Sequence, residues 1–128
     1  MSHILIVEDD RQNREGLRTL VANAGFEVTV ADDYPGAVEL LSADRFDLLI
    51  TDLDLPGGTG LALARHAKAF SPNLPTILVT AFGCNEVRKQ AQELALAGYF
   101  EKPVDPQALI ERVKSSVGGR RIIAARSR

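Results

Sequence analysis

Short continuous apolar runs alternate along the chain with longer segments of helical periodicity. Rich in Ile, Val and Leu, these runs are HILIV (3–7), EVTV (27–30), DLLIT (47–51), TILVT (76–80) and GYF (98–100). Continuous runs of this kind are typical of strands in a parallel sheet that helices cover on both faces. We therefore predict five strands that are buried on both sides.

The segments between these runs repeat their apolar residues every three or four positions, which predicts helices. Gly25 ends the first helix, whereas Pro35 and Pro106 can each open one. The fourth helix, Asn85 to Leu96, has a thin apolar face. The residues expected to face inward are Leu17, Leu20, Val21, Ala24, Val38, Leu41, Val87, Ala91, Leu94, Leu109, Val113 and Val117. Five strand–helix units joined by right-handed crossovers predict a doubly wound α/β fold.

The composition suits one soluble domain. The chain has 128 residues, of which 45% are hydrophobic and 25% charged, and no apolar run approaches the roughly 20 residues that span a bilayer. The first residues, MSHILIVEDD, lack the features of a secretory signal peptide. Because Cys84 is the single cysteine, neither a disulfide framework nor a thiolate metal site is expected. We predict a cytoplasmic protein.

Positive charge is concentrated at the end of the chain. From Arg112 onward there are six basic residues and no acidic one, although the whole chain has a net charge of −2. We assign residues 1–117 to one domain and interpret residues 118–128 as a basic tail or the start of an interdomain linker. Direct binding of nucleic acid by this segment is disfavoured, because it contains no aromatic residue on which bases could stack.

Chemistry-bearing residues follow four of the predicted strands, at the edge where ligands bind in open parallel sheets. In chain order they are Glu8, Asp9, Asp10, Asp52, Asp54, Thr80 and Lys102. Two carboxylates about 4 Å apart repel by about 1 to 4 kcal/mol, a cost that a divalent cation removes. Mg²⁺ prefers such oxygen ligands, and zinc is disfavoured without a cysteine or histidine set. We expect His3 and His66 to have surface or packing roles.

The same edge suits a phosphoryl group. Lys102 can supply a positive charge to a phosphoryl oxygen, and Thr80 can donate a hydrogen bond from its hydroxyl group. A carboxylate not used by the metal could then act as the nucleophile. Asp10 has two equally supported roles, near the metal or at the start of a helix. Helix caps and turns are the expected roles of Asp32, Asp33, Asp44 and Asp47.

Four motifs, ILIVEDD, DLLITDLDLPGGTGLAL, ILVTAF and GYFEKPV, together resemble the receiver domain of two-component response regulators. The resemblance covers residues 3 to about 117. It implies a flavodoxin-like sheet of strand order 2-1-3-4-5 with five helices. It also implies a phosphoacceptor switch that assists its own phosphorylation and dephosphorylation, rather than an enzyme.

The resemblance implies a role for each site residue. Asp52 would accept the phosphoryl group; Glu8, Asp9, Asp52 and the main-chain carbonyl of Asp54 would bind Mg²⁺ or Mn²⁺. The phosphate-contacting and switch residues would be Thr80, Lys102 and Tyr99, with the proline after Lys102 a candidate for a cis peptide bond. Asp54 and Phe82 would flank the site entrance and tune the rates of phosphorylation and hydrolysis.

The resemblance also implies partners. A histidine kinase or phosphotransfer protein would donate the phosphoryl group. The surface formed by the fourth helix, fifth strand and fifth helix would then control an output domain or a downstream protein, and phosphorylation could drive homodimerisation. The stretches TAFG and FEKP resemble the receiver domains of enhancer-binding transcription regulators. Nucleic acid would then be contacted only through an output domain, and no membrane is involved.

Two rival interpretations remain. A haloacid-dehalogenase-like phosphatase also uses an Asp-x-Asp motif and an aspartyl phosphate, but its motif usually follows the first strand, not the third. Alternatively, the fold could be an interaction module that is never phosphorylated, which the complete set of acidic, hydroxyl and lysine residues disfavours. A flavin-binding protein of the same fold is excluded, because the acidic loop EDDRQ would repel a phosphate group.

Overall fold

A five-stranded parallel sheet forms the centre of the computed structural model, which describes residues 1–126, with side chains up to residue 118. Its strands are β1 (His3–Val7), β2 (Glu27–Ala31), β3 (Leu48–Asp52), β4 (Thr76–Thr80) and β5 (Gly98–Glu101). They lie in the order β2-β1-β3-β4-β5, which confirms the predicted topology. The winding reverses between β1 and β3, so the carboxyl ends of these two strands border the ligand-binding crevice.

Five helices cover the sheet: α1 (Arg11–Asn23), α2 (Tyr34–Ala43), α3 (Gly60–Phe70), α4 (Asn85–Glu93) and α5 (Pro106–Arg126). Asp10 caps α1 by accepting a hydrogen bond from the amide of Asn13, and Asp33 caps α2 in the same way. Thr59 caps α3. In the part of the chain that the structure describes, the residue at the cap of α4, Cys84, is exposed and makes no side-chain capping bond.

The core has two layers because β1 alternates its side chains between the two faces of the sheet. Ile4 and Ile6 pack on one face, and Leu5 and Val7 on the other. Helices α1 and α5 cover the first face with buried Val21, Leu109, Val113 and Val117. Helices α2 and α3 cover the second with buried Ala37, Leu63 and Ala67. No helix in the described part of the chain has the length and apolar character of a membrane span.

Three local features differ from the predicted elements. A two-residue antiparallel ladder pairs Asp54–Leu55 with Gly58–Thr59, in a segment for which no strand was predicted. Helix α4 ends at Glu93, three residues earlier than expected, and Ala95 beyond it has a φ of 54°. Strand β3 runs one residue further than the apolar run and includes Asp52.

Candidate functional site

Three carboxylates meet at the carboxyl ends of β1 and β3. One oxygen from each of Glu8, Asp9 and Asp52 lies within 4.8 Å of the others. Glu8 and Asp9 directly follow β1, and Asp52 is the last residue of β3, which pairs with β1. Glu8 is buried, Asp9 is exposed and Asp52 is intermediate, so the cluster opens to solvent on one side.

Lys102, just after β5, reaches across the end of the sheet into this cluster. Its Nζ lies 2.6 Å from Oε1 of Glu8 and 3.2 Å from Oδ2 of Asp52. Burial acts to lower the pKa of Lys102, but its hydrogen bond to Glu8 and the charges of both acids raise it overall. Burial raises the pKa of Glu8, against the lowering effect of its bond to Lys102. The peptide bond between Lys102 and Pro103 is cis.

The acidic side chains are held by hydrogen bonds that the sequence did not reveal. The amide of Asp10 donates to Oε2 of Glu8 over 3.2 Å, and the amide of Leu53 donates to Oδ1 of Asp52 over 2.7 Å. From the first turns of α1, the Arg14 guanidinium donates to the main-chain carbonyls of Glu8 and Asp9, at 3.1 and 3.3 Å. These bonds fix both the carboxylates and the loop that carries two of them.

Gly60 allows α3 to begin directly against the site. A Cβ at this position would lie 2.1 Å from the main-chain oxygen of Asp52, so that a side chain there would require the backbone to shift. At Gly60 the requirement is close backbone approach, which the helix start after the Gly-rich loop could have indicated.

The donor set fits a divalent, oxygen-preferring cation. Three carboxylates and one ammonium group leave two negative charges, and all the candidate ligand atoms in the cluster are oxygens. Mg²⁺ typically takes one or two carboxylates together with water and phosphate oxygens. The exposed carboxylate of Asp54 is not part of this cluster; the residue lies in the short ladder, opposite Thr59.

Thr80 ends β4 with its side chain buried. In this structure its Oγ1 accepts a hydrogen bond of 3.2 Å from the amide of Phe82. Phe82 is 81% exposed, which places a large apolar group on the surface of the loop between β4 and α4. The Thr80 hydroxyl group therefore lies at the same sheet edge as the acids, where it accepts a hydrogen bond from the loop that follows it.

Tyr99 lies on β5 in a cluster that the sequence did not predict. Its hydroxyl group donates to Oε2 of Glu101 over 3.2 Å, and Nη2 of Arg88 lies 3.3 Å from the same oxygen. The Arg88 guanidinium carbon is also 5.6 Å from the centroid of the tyrosine ring. Residues two apart in a strand lie on the same face of the sheet, as Tyr99 and Glu101 do. This spacing could have indicated Glu101 as a neighbour of Tyr99.

Residues 4–114 match the family model of the response regulator receiver domain. The chain belongs to this family. The receiver domain is 34% identical over 114 residues to the phosphate regulon transcriptional regulatory protein PhoB of Escherichia coli strain K12. The match covers 88% of this chain and 50% of PhoB, so the chain spans about half the length of that relative.

Solved structures agree with this assignment. A CheY-like receiver domain protein from Methanospirillum hungatei JF-1 has a TM-score of 0.90 and 26% identity to this receiver domain, with 94% of this chain and 97% of that chain covered. Response regulator TrrA from Thermotoga maritima has a TM-score of 0.82 and 28% identity, with coverages of 91% and 99%. TrrA was solved in complex with Mg²⁺ and BeF.

Proposed function

We propose that this receiver domain is a phosphorylation-controlled switch that accepts a phosphoryl group on Asp52. The observation that carries the proposal is the cluster of Glu8, Asp9 and Asp52 bridged by Lys102, drawn from three strand ends. The two excess negative charges of the cluster match a divalent cation. The ammonium group of Lys102 can form an ion pair with an oxygen of an incoming phosphoryl group. The family assignment supports the same function.

The residues have separate tasks in this proposal. Mg²⁺ or Mn²⁺ would be held by Glu8, Asp9, Asp52 and the main-chain carbonyl of Asp54, and when bound it would offset the charge of the phosphoryl oxygens. An oxygen of Asp52 attacks phosphorus while the bond to the donor's histidine nitrogen breaks. Lys102 neutralises a phosphoryl oxygen, and the bond from Leu53 fixes the orientation of the nucleophile. Such catalysis consists largely of positioning and charge stabilisation.

The phosphoryl group then changes the surface of the domain. It adds close to two negative charges and strong acceptor oxygens, to which the Thr80 hydroxyl group can turn once it leaves the amide of Phe82. Movement of Thr80 would make room for Tyr99 and shift the surface of α4, β5 and α5. A change from mostly off to mostly on requires about 5.5 kcal/mol of differential stabilisation.

The partners in this proposal are proteins. The receiver domain would act in the cytoplasm, where a histidine kinase or phosphotransfer protein supplies the phosphoryl group. The shifted surface then acts on an output domain, a downstream protein or a second copy of the domain. The similarity to PhoB supports control of transcription, in which nucleic acid would be bound by the output domain. At the site entrance, the exposed Asp54 and Phe82 would tune access of the attacking water.

Intact mass measured after incubation with acetyl phosphate and Mg²⁺ tests the proposal. We expect one phosphoryl adduct that hydroxylamine removes, that Asp52→Asn abolishes and that the matched control Asp54→Asn retains. An adduct that persists in Asp52→Asn, or no adduct with either acetyl phosphate or a phosphorylated kinase, would contradict the proposal. Rapid turnover of a generic phosphomonoester by the same samples would instead favour a phosphatase.

A further inference from the structure

Tyr99, Arg88 and Glu101 form a compact polar cluster, which we call the Tyr99 latch. The tyrosine hydroxyl group and the arginine share one oxygen of Glu101, and the guanidinium also lies over the tyrosine ring. The Arg88 and Glu101 side chains are 51% and 48% exposed, and exposed ion pairs contribute little to folding stability. The cluster therefore orients Tyr99 more than it stabilises the fold.

Gly83 connects the latch to the loop that carries Thr80. A Cβ at Gly83 would lie 1.9 Å from the Tyr99 hydroxyl oxygen and 2.3 Å from Oε2 of Glu101. The hydroxyl group and the carboxylate thus lie directly on the loop between β4 and α4, three residues after Thr80. A larger residue at position 83 would force both groups away.

Strand register places Glu101 beside Thr80 as well. Thr80 pairs with Glu101 across β4 and β5, and the amide of Lys102 donates to the carbonyl of Thr80 over 2.8 Å. The latch therefore contacts the segment after Thr80 and borders Thr80 itself. We therefore expect a movement of Thr80 toward Asp52 to displace the loop backbone at Gly83, which the Tyr99 hydroxyl group contacts.

We propose that Arg88, Glu101 and Gly83 position Tyr99 against the β4–α4 loop and thereby favour the phosphoryl-free arrangement of Thr80. This inference rests on the proposed function and adds three positioning residues to it. The latch opposes switching, so weakening it makes the phosphorylated arrangement easier to reach. Within the described part of the chain, the hydrogen bonds and ion pairs of the latch include none of Glu8, Asp9 and Asp52.

Titration of Tyr99 tests the geometry without any phosphoryl group. Burial raises the pKa of Tyr99, and the charge and hydrogen bond of Glu101 raise it further. In a Tyr34→Phe background Tyr99 is the single tyrosine, so its ionisation can be followed by ultraviolet absorbance. We expect Glu101→Gln and Gly83→Ala each to lower its pKa, while Glu93→Gln, an exposed acid on α4, leaves it unchanged. An unchanged pKa in both latch variants overturns the proposal.

Affinity for beryllofluoride with Mg²⁺, a mimic of the phosphoryl group, tests the effect on switching. We expect Glu101→Gln, Gly83→Ala and Arg88→Ala to bind it about twofold to fivefold more tightly, the range of an exposed ion pair. A purely structural role would lower the melting temperature and leave this affinity unchanged, which overturns the proposal. If the unaltered protein takes neither beryllofluoride nor a phosphoryl group, the proposed function fails, while the titration still decides whether the latch holds Tyr99.

Discussion

Helices α3 and α4 follow neighbouring strands at the same end of the sheet, but they are held in different ways. Helix α3 buries Gly60, Leu61, Leu63, Ala64 and Ala67. Among the described residues of α4, Ala91 alone is buried. Polar contacts tie α4 to α3: Arg65 donates to the Gln90 side chain, and Lys68 donates to the carbonyl of Leu94 over 2.8 Å.

This difference separates a rigid part of the site from a loosely held part. Asp52 lies against the start of α3, whose packing on the core fixes the proposed phosphoryl acceptor. Thr80 precedes a loop and a helix held mainly by hydrogen bonds, which exchange with water at small net cost. Segments with few buried apolar contacts open most easily, so we expect the response to phosphorylation to appear around α4.

The largest expected effect comes from removing apolar contacts in the two helices. Leu63→Ala in α3 should lower the free energy of unfolding by about 2 to 5 kcal/mol, because the side chain is fully buried. Val87→Ala in α4 should cost less than about 1.5 kcal/mol, because Val87 is only partly buried. Urea denaturation of both variants measures the contrast, and equal losses would show that α4 is packed as firmly as α3.

The same substitution at two glycines gives a matched comparison. Gly60→Ala places a methyl group against the rigid backbone of Asp52, and we expect a loss of about 1 to 3 kcal/mol. Gly83→Ala meets only the ends of the Tyr99 and Glu101 side chains, so its effect should stay within about 0.5 kcal/mol. Thermal unfolding of both variants checks this; a larger loss at Gly83 would mean that this loop is also rigid.

A single substitution just after α4, at Ala95, should stabilise the folded domain. Ala95 has a φ of 54°, a left-handed conformation that is unfavourable for residues with a Cβ and is usually taken by glycine after a helix. This conformation costs a residue with a Cβ about 1 to 2 kcal/mol, and the greater backbone entropy of glycine in the unfolded chain offsets part of the gain from removing this cost. Ala95→Gly should therefore raise the free energy of unfolding by about 0.5 to 1 kcal/mol. Ala69→Gly, inside α3, is the control and should be destabilising. Destabilisation by Ala95→Gly would contradict the assigned conformation.

The smallest effect is a dependence of stability on alkaline pH. Burial and the Glu101 carboxylate raise the pKa of Tyr99 in the folded protein, so the folded state resists ionisation more than the unfolded state. Stability should therefore decline as pH rises from the ordinary phenol pKa of about 10 through the folded value. Tyr99→Phe should make this decline shallower in urea denaturation between pH 9 and 11, and an identical decline would contradict the raised pKa.

The sheet and its helices were predictable because their signal is local. The runs containing Ile4 to Ile6 and Ile77 to Val79 are apolar at every position, as burial on both faces requires. The ladder between Asp54–Leu55 and Gly58–Thr59 has no such pattern, since each of its strands has two residues. The end of α4 depends on Ala95 adopting a conformation that its residue type disfavours.

The part of the site that lies at the ends of the parallel strands was predictable, because those ends meet at one edge of the sheet. The order of the strands alone brings Glu8, Asp52 and Lys102 to one edge. The contacts of Arg14 with the carbonyls after β1 and of Arg88 with Glu101 depend on side-chain conformations and on distances between elements. A sequence pattern of one chain does not contain that information.

Cys84 has a practical consequence for observing this domain. It is the single cysteine of the chain, it is exposed, and it occupies the N-terminal cap of α4, next to Gly83. A thiol-reactive fluorophore or nitroxide added to the unaltered protein would attach there without any engineered cysteine. The chain thus carries its own attachment point for a probe, placed where the loop after Thr80 joins the helix that we expect to move.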